Sequence, residues 1–187
     1  MIQRDLVERA GRGDHAAFAS LVGASVAHLE AVARLILRDH ELARDAVQEA
    51  YIRAWRSLPG LREPDQFDAW LHRLTVNACL DTVRRRRHRA IEVDIEPFDM
   101  RAAGDAISQV AHRDQLERGF AHLSVDQRAV LVLHYYVGLP MPALAETLGI
   151  PLGTAQSRLG RALLALRSVL GADEEASANA IHRGQIA

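Results

Sequence analysis

Residues 144–163 limit the folds open to this chain more than any other stretch. Pro142–Leu148 reads as a short helix, Gly149 as a turn, and Gly153–Leu170 as a second helix. On that second helix Ala155, Leu159, Ala162, Leu163 and Leu166 fall on one side, and Thr154, Ser157, Arg158 and Arg161 on the other. This is the outline of a helix-turn-helix, whose second helix can enter a DNA major groove. Its first turn offers hydroxyls and backbone amides suited to phosphate. The next offers arginines that can reach guanine edges or phosphates. An ordinary helical hairpin has the same pattern, so the rest of the chain has to decide.

Helical periodicity runs through that remainder, with no alternating strand pattern. Asp5–Gly11 is a short expected helix. Asp14 caps a longer one to about Arg38, Glu41–Leu58 is a third, and Phe67–His88 a fourth that ends in arginines. After an acidic stretch holding Pro97 and Gly104, a helix resumes near Ile107–Leu123. Ser124 and Gln127 then form a capping box for Val125–Val137. The expected fold is all-α: two small helical domains, 1–90 and 112–171, joined by a flexible acidic linker at 91–111 and followed by a flexible tail at 172–187.

Net charge is only −1, but it is unevenly spread. Residues 1–90 hold 15 Arg against 12 acids, 91–122 hold 3 against 7, and 123–171 hold 4 against 2. Two mildly basic blocks flank an acidic one. Every one of the 23 basic residues is arginine, which fits either a compositional bias or a use for planar phosphate contacts.

Arg73, Asn77, Asp81, Arg84 and His88 form one polar stripe along the fourth expected helix, with Arg85 beside it. Either this is a solvated face with a cationic end, or it is a surface whose amide reads a base edge. The loop before it, with Arg62, Pro64 and Asp65, is rigid enough to hold an unstacked base. On the third helix Val47, Ala50, Tyr51, Ala54 and Trp55 make a core stripe. Asp45, Gln48, Glu49, Ile52 and Arg56 fall opposite. Ile52 among charges has the look of a small protein-docking patch, although single exposed isoleucines are common.

Other classes find little support. Cys79 is the sole cysteine, so no internal disulfide can form, which fits a reducing cytoplasm. The nine histidines are scattered, without metal-ligand spacing. No phosphate-cradling glycine loop or nucleophile motif is present, and no enzyme, cofactor or metal site is expected. No apolar run approaches the roughly 18 residues of a membrane span, and no membrane insertion is expected.

Together these pieces resemble the bacterial sigma factors of the small, two-domain extracytoplasmic-function (ECF) group, over about residues 5–170. The matching residues are Gly13-Asp14 with Ala17-Phe18, the run Asp45 to Trp55, Phe67 with Ala69-Trp70-Leu71, and Leu74 to Asn77 followed by Asp81 and Arg84-Arg85. In the second half they are Gly149 to Thr154, Ser157-Arg158-Leu159 and Arg161-Ala162. The resemblance implies that Asp45, Gln48, Glu49, Ile52 and Arg56 bind core RNA polymerase at its β′ clamp helices, with the β flap a second contact. It implies that Arg62, Asp65, Arg73, Asn77, Asp81, Arg84, Arg85 and His88 serve the −10 promoter element, where a flipped base is captured. Thr154, Gln156, Ser157, Arg158, Gly160 and Arg161 would read the −35 element. Gln156 stands where a basic residue is common in the family and Gly160 where a bulkier one is, so a non-standard −35 sequence is expected. Promoter DNA, core polymerase and an anti-sigma factor are the implied partners. Control would be external, because the long amino-terminal inhibitory region of larger members has no counterpart. The rival reading is a free-standing helix-turn-helix regulator, which would bind duplex DNA tightly by itself as a symmetric dimer.

Overall fold

A computed structural model describes the backbone of residues 2–92 and 110–184, and the side chains of residues 3–86 and 116–170. Every regular element among them is helical. The first half holds α1 (Ile2–Gly11), α2 (His15–Leu37), α3 (His40–Ser57) and α4 (Phe67–Glu92). The second holds α5 (Val110–Ala121), α6 (Val125–Leu131), α7 (Met141–Leu148) and α8 (Leu152–Gly184). Most of the expected linker lies outside the described residues.

Local chemistry explains the boundaries. The Asp14 carboxylate accepts from the Ala17 amide at 3.0 Å and starts α2, as its place before an apolar run implies. Asp39 does the same for α3 through Leu42 at 2.9 Å, which puts the helix start one residue before the expected Glu41. Ser124 and Gln127 form the full reciprocal capping box. Three expectations need correction. The helix expected over Val125–Val137 divides into α6 and a π-helical turn, Val132–Tyr136, closed by the Val137 amide on the Val132 carbonyl at 3.0 Å. Gly171 does not end the last helix. One interior glycine costs only about 1 kcal/mol, and the alanine-rich stretch beyond it carries α8 to Gly184. Helix α2 is also long and apolar enough by composition to cross a membrane, with a mean hydropathy of 1.5. Its Leu29, Val32, Ala33, Ile36 and Leu37 are buried in the protein core, at 1% exposure or less.

The core of the first half packs α2, α3 and α4 around Leu29, Ile36, Leu37, Phe67 and Leu71. That of the second packs α5, α6 and α7 on α8 around Val130, Leu133, Leu144, Ala155 and Ala162. Gly119 of α5 faces the Leu166 side chain of α8, whose end would have to shift to admit a Cβ there.

The two halves touch. Helix α4 buries Leu71, Thr75, Val76, Ala78 and Cys79, a wide arc that packs on α2 and α3 and also on α6 and α7. At the seam lies Arg128 of α6, only 5% exposed. Its Nε donates to the Ile36 carbonyl at 2.6 Å, and its Nη1 to the Leu123 and Phe120 carbonyls at 2.6 and 3.3 Å. One guanidinium therefore meets the carboxyl ends of α2 and α5, both negative poles of helix dipoles. Burial pulls its pKa down to about 10, still far above neutrality, so the group stays charged. Arg38 stands next to it with φ at 56°, a left-handed conformation unusual for a residue with a Cβ. Its Nη1 donates to the Glu117 carbonyl at 2.5 Å. At another point of the seam the His28 ring stacks on Tyr136, with centroids 5.5 Å apart.

Replacing Arg128 by Met should cost about 2–4 kcal/mol of unfolding free energy, since three carbonyls lose a charged donor. Denaturant unfolding measures it, and a loss below the error of the method would contradict the clamp. The buried Cys79 thiol is pushed up to about 12 by desolvation. Its reaction with a disulfide reagent should therefore be about a hundredfold or more slower in the native protein than in denaturant.

Candidate functional site

Three surfaces carry the chemistry. The first is the outer face of α3. Leu42, Ala43, Ala46, Val47, Ala50 and Ala54 face the core, which turns Asp45, Gln48, Ile52 and Arg56 outward and leaves Glu49 half-buried. Ile52 is 38% exposed among these polar neighbours. It also stands on the lip of a groove of about 500 Å³ between α2 and α3, lined by Phe18, Val22, Val26, Val47, Tyr51 and Trp55. Sequence periodicity places Tyr51 and Trp55 in the core. Both are half-buried and line this groove, and Tyr51 also packs against the core. Phe18 meets the two rings edge-on, with centroids 6.4 and 4.9 Å away. The Tyr51 hydroxyl lies 2.8 Å from Ser25 Oγ, and burial raises its pKa. Sequence reasoning missed the groove because its walls come from two helices, and a single-helix wheel shows only one of them.

The second surface is α4 with the loop before it. The 3-10 turn Pro64–Gln66 leads directly into α4 and holds Arg62 and Asp65 exposed beside its first turn. Arg73, Arg84 and Arg85 are exposed, and Asn77 and Asp81 are half-buried on the same side. The side chain of His88 lies outside those described. The two acids of the set are engaged. Asp65 Oδ2 pairs with Arg4 Nη1 at 3.1 Å, and Asp81 Oδ2 accepts from Arg53 Nη1 at 2.9 Å. The stripe therefore presents three arginines and an amide, with its negative charge offset.

The third surface is the amino-terminal half of α8. Gly149 takes φ 64°, and the Ile150 amide bonds back to the Ala145 carbonyl at 3.0 Å, which closes α7 and turns the chain into α8. Pro140 provides no side-chain cap at the start of α7. Ala155 and Ala162 are fully buried against the other helices. That packing leaves Gln156, Ser157, Gly160 and Arg161 exposed, with Thr154 and Arg158 half-buried. Arg158 Nη1 pairs with Asp126 Oδ1 at 3.3 Å, and Arg161 Nε donates to the Ser157 carbonyl at 3.3 Å within its own helix. A Cβ added at Gly153 or Gly160 would meet nothing within 4 Å, so internal packing does not demand glycine at either position. Among the described residues, no three His, Cys, Asp or Glu side chains stand close enough to hold a metal ion.

Similarity to known proteins follows the same division. Residues 21–89 match the family Sigma-70 region 2, and residues 113–166 match Sigma-70, region 4. The ECF RNA polymerase sigma factor SigM of Mycobacterium tuberculosis is 35% identical over 160 residues, which cover 85% of this chain and 80% of that one. Among solved structures, CnrH in complex with the cytosolic domain of CnrY is 28% identical with a TM-score of 0.63, covering 92% of this chain and 99% of the other. RpoE in complex with the anti-sigma factor NepR, from Bartonella quintana, shares the fold at a TM-score of 0.71 and 24% identity, covering 83% of this chain and 98% of that one.

Proposed function

The chain belongs to the sigma-70 family, in its ECF group, and on that basis we propose how its three surfaces share the work of starting transcription. The outer face of α3 binds core RNA polymerase at the β′ clamp helices, with Ile52 as the apolar anchor and Asp45, Gln48, Glu49 and Arg56 as the polar rim. Residues 61–66 and Asn77 capture an unstacked base of the −10 element, and Arg73, Arg84 and Arg85 steady the backbone beside it. The first turns of α8 read the −35 element as duplex. There Arg161 reaches the bases or phosphates, and Arg158, tied to Asp126, aligns the helix. The domain limits 1–90 and 112–171 are those within which each reader acts. The protein works in the cell interior, where the polymerase is, and performs no catalysis of its own.

What supports this reading is the exposure, on one chain, of an isoleucine set among charged residues on α3 and of arginines on two separate surfaces, α4 and α8. A free-standing regulator has no use for the first of these. With few phosphate contacts each, the two readers bind weakly alone and act together once polymerase holds both at high effective concentration. The groove beside Ile52 offers an anti-sigma factor an apolar seat next to the polymerase face, so one partner would exclude the other.

Replacing Ile52 by Glu should weaken core polymerase binding about tenfold or more while leaving the fold intact, as loss of an interface anchor does. Affinity for core enzyme and a circular dichroism melt check it, and unchanged affinity would contradict the docking face. Replacing Gly160 by Ala should stabilise α8 by about 0.5–1 kcal/mol and alter the −35 sequence selected from a randomised promoter library. An unaltered selection would remove Gly160 from the reading surface.

A further inference from the structure

Arg53 belongs to neither the polymerase set nor the DNA set, yet it touches a member of each. Its Nε donates to Glu49 Oε1 at 2.8 Å, one turn back on α3. Its Nη1 donates to Asp81 Oδ2 at 2.9 Å on α4. The other oxygen of Asp81 lies 3.4 Å from Arg84 Nη1. The Arg53, Glu49 and Asp81 side chains keep 30%, 37% and 34% of their exposure, so the cluster sits at the surface between the two helices.

Asp81 is one turn beyond Asn77 on the stripe assigned to DNA. A bare carboxylate there would repel the phosphates that the neighbouring arginines attract. Arg53 offsets that charge from the α3 side. Because a guanidinium is planar, its two donors also fix Asp81 relative to Glu49. An exposed ion pair adds little to folding, so the network contributes through charge and geometry more than through stability.

We propose that Arg53 is a positioning residue for strand capture: it neutralises Asp81 beside Asn77 and ties the DNA stripe of α4 to the polymerase face of α3. This rests on the sigma-factor reading of α4 given above. The relation has a sign. Without Arg53, Asp81 keeps only its longer contact with Arg84 and draws that arginine's charge away from the DNA, and removing the carboxylate as well restores capture. A role confined to holding the fold has the opposite consequence, because losing both partners leaves nothing repaired.

The test uses full-length protein bound to core polymerase. A promoter is first selected from a randomised library by the wild-type complex, and the probe is its fluorescent non-template strand across the −10 region. Arg53→Met should leave core binding within about twofold and weaken strand capture about tenfold, and Arg53→Met with Asp81→Asn should return capture to within about threefold of wild type. Because salt screens a repulsion, the deficit of Arg53→Met relative to wild type should shrink as salt rises, and the double variant should follow the wild-type salt dependence. A double variant as weak as Arg53→Met, or an Arg53→Met that loses core binding and capture by one common factor, would overturn the proposal. A wild-type complex that captures no strand would instead overturn the reading of α4, and this inference with it.

Discussion

The guanidinium of Arg128 lies under the surface, held by three backbone carbonyls at the ends of α2 and α5. A buried charge is costly unless hydrogen bonds replace its water, and here the carboxyl ends of two helices supply them. The arrangement ties α6 to the end of α5 and holds the second half against α2. The wide apolar arc of α4 faces its own half and the neighbouring one. Functional surfaces are what the packing leaves over. The outer side of α3, the polar stripe of α4 and the first turns of α8 stay exposed because their opposite sides are committed to core.

Such a division explains which side chains do chemistry and which hold position. Of the charged residues on the expected DNA faces, Asp65, Asp81 and Arg158 each meet a partner from another helix or the chain start: Arg4, Arg53 and Asp126. Arg73, Arg85 and Arg161 are exposed. In the reading proposed above, the paired groups set the angle and local charge of the surface, and the exposed ones meet phosphate or base.

Much of this was legible in the sequence. Helix caps are local, so Asp14 and the Ser124–Gln127 box could be read directly. The turn at Gly149 and the apolar side of α8 follow from spacing, and so does the outward set on α3. What stayed hidden depends on contacts between residues far apart in the chain. Arg128 looks like one more surface arginine until Ile36, 92 residues away, is brought against it. The groove beside Ile52 needs Phe18 and Val22 from another helix. Asp81 reads as part of a DNA stripe, while its link to Arg53 crosses from α4 to α3. The continuation of α8 beyond Gly171 is hidden for a local reason, because a glycine ordinarily marks a helix end and here the alanine-rich sequence outweighs it.

The central claim is that two weak DNA readers become one promoter-recognising unit only while polymerase holds the chain. Chemical footprinting of a promoter recovered by selection tests it most directly, with the protein alone, core enzyme alone, and both together. The account expects protection of two separate patches, with unpaired bases at the downstream one, only when both are present. Equal protection by the protein alone, or no protection with both, would contradict it.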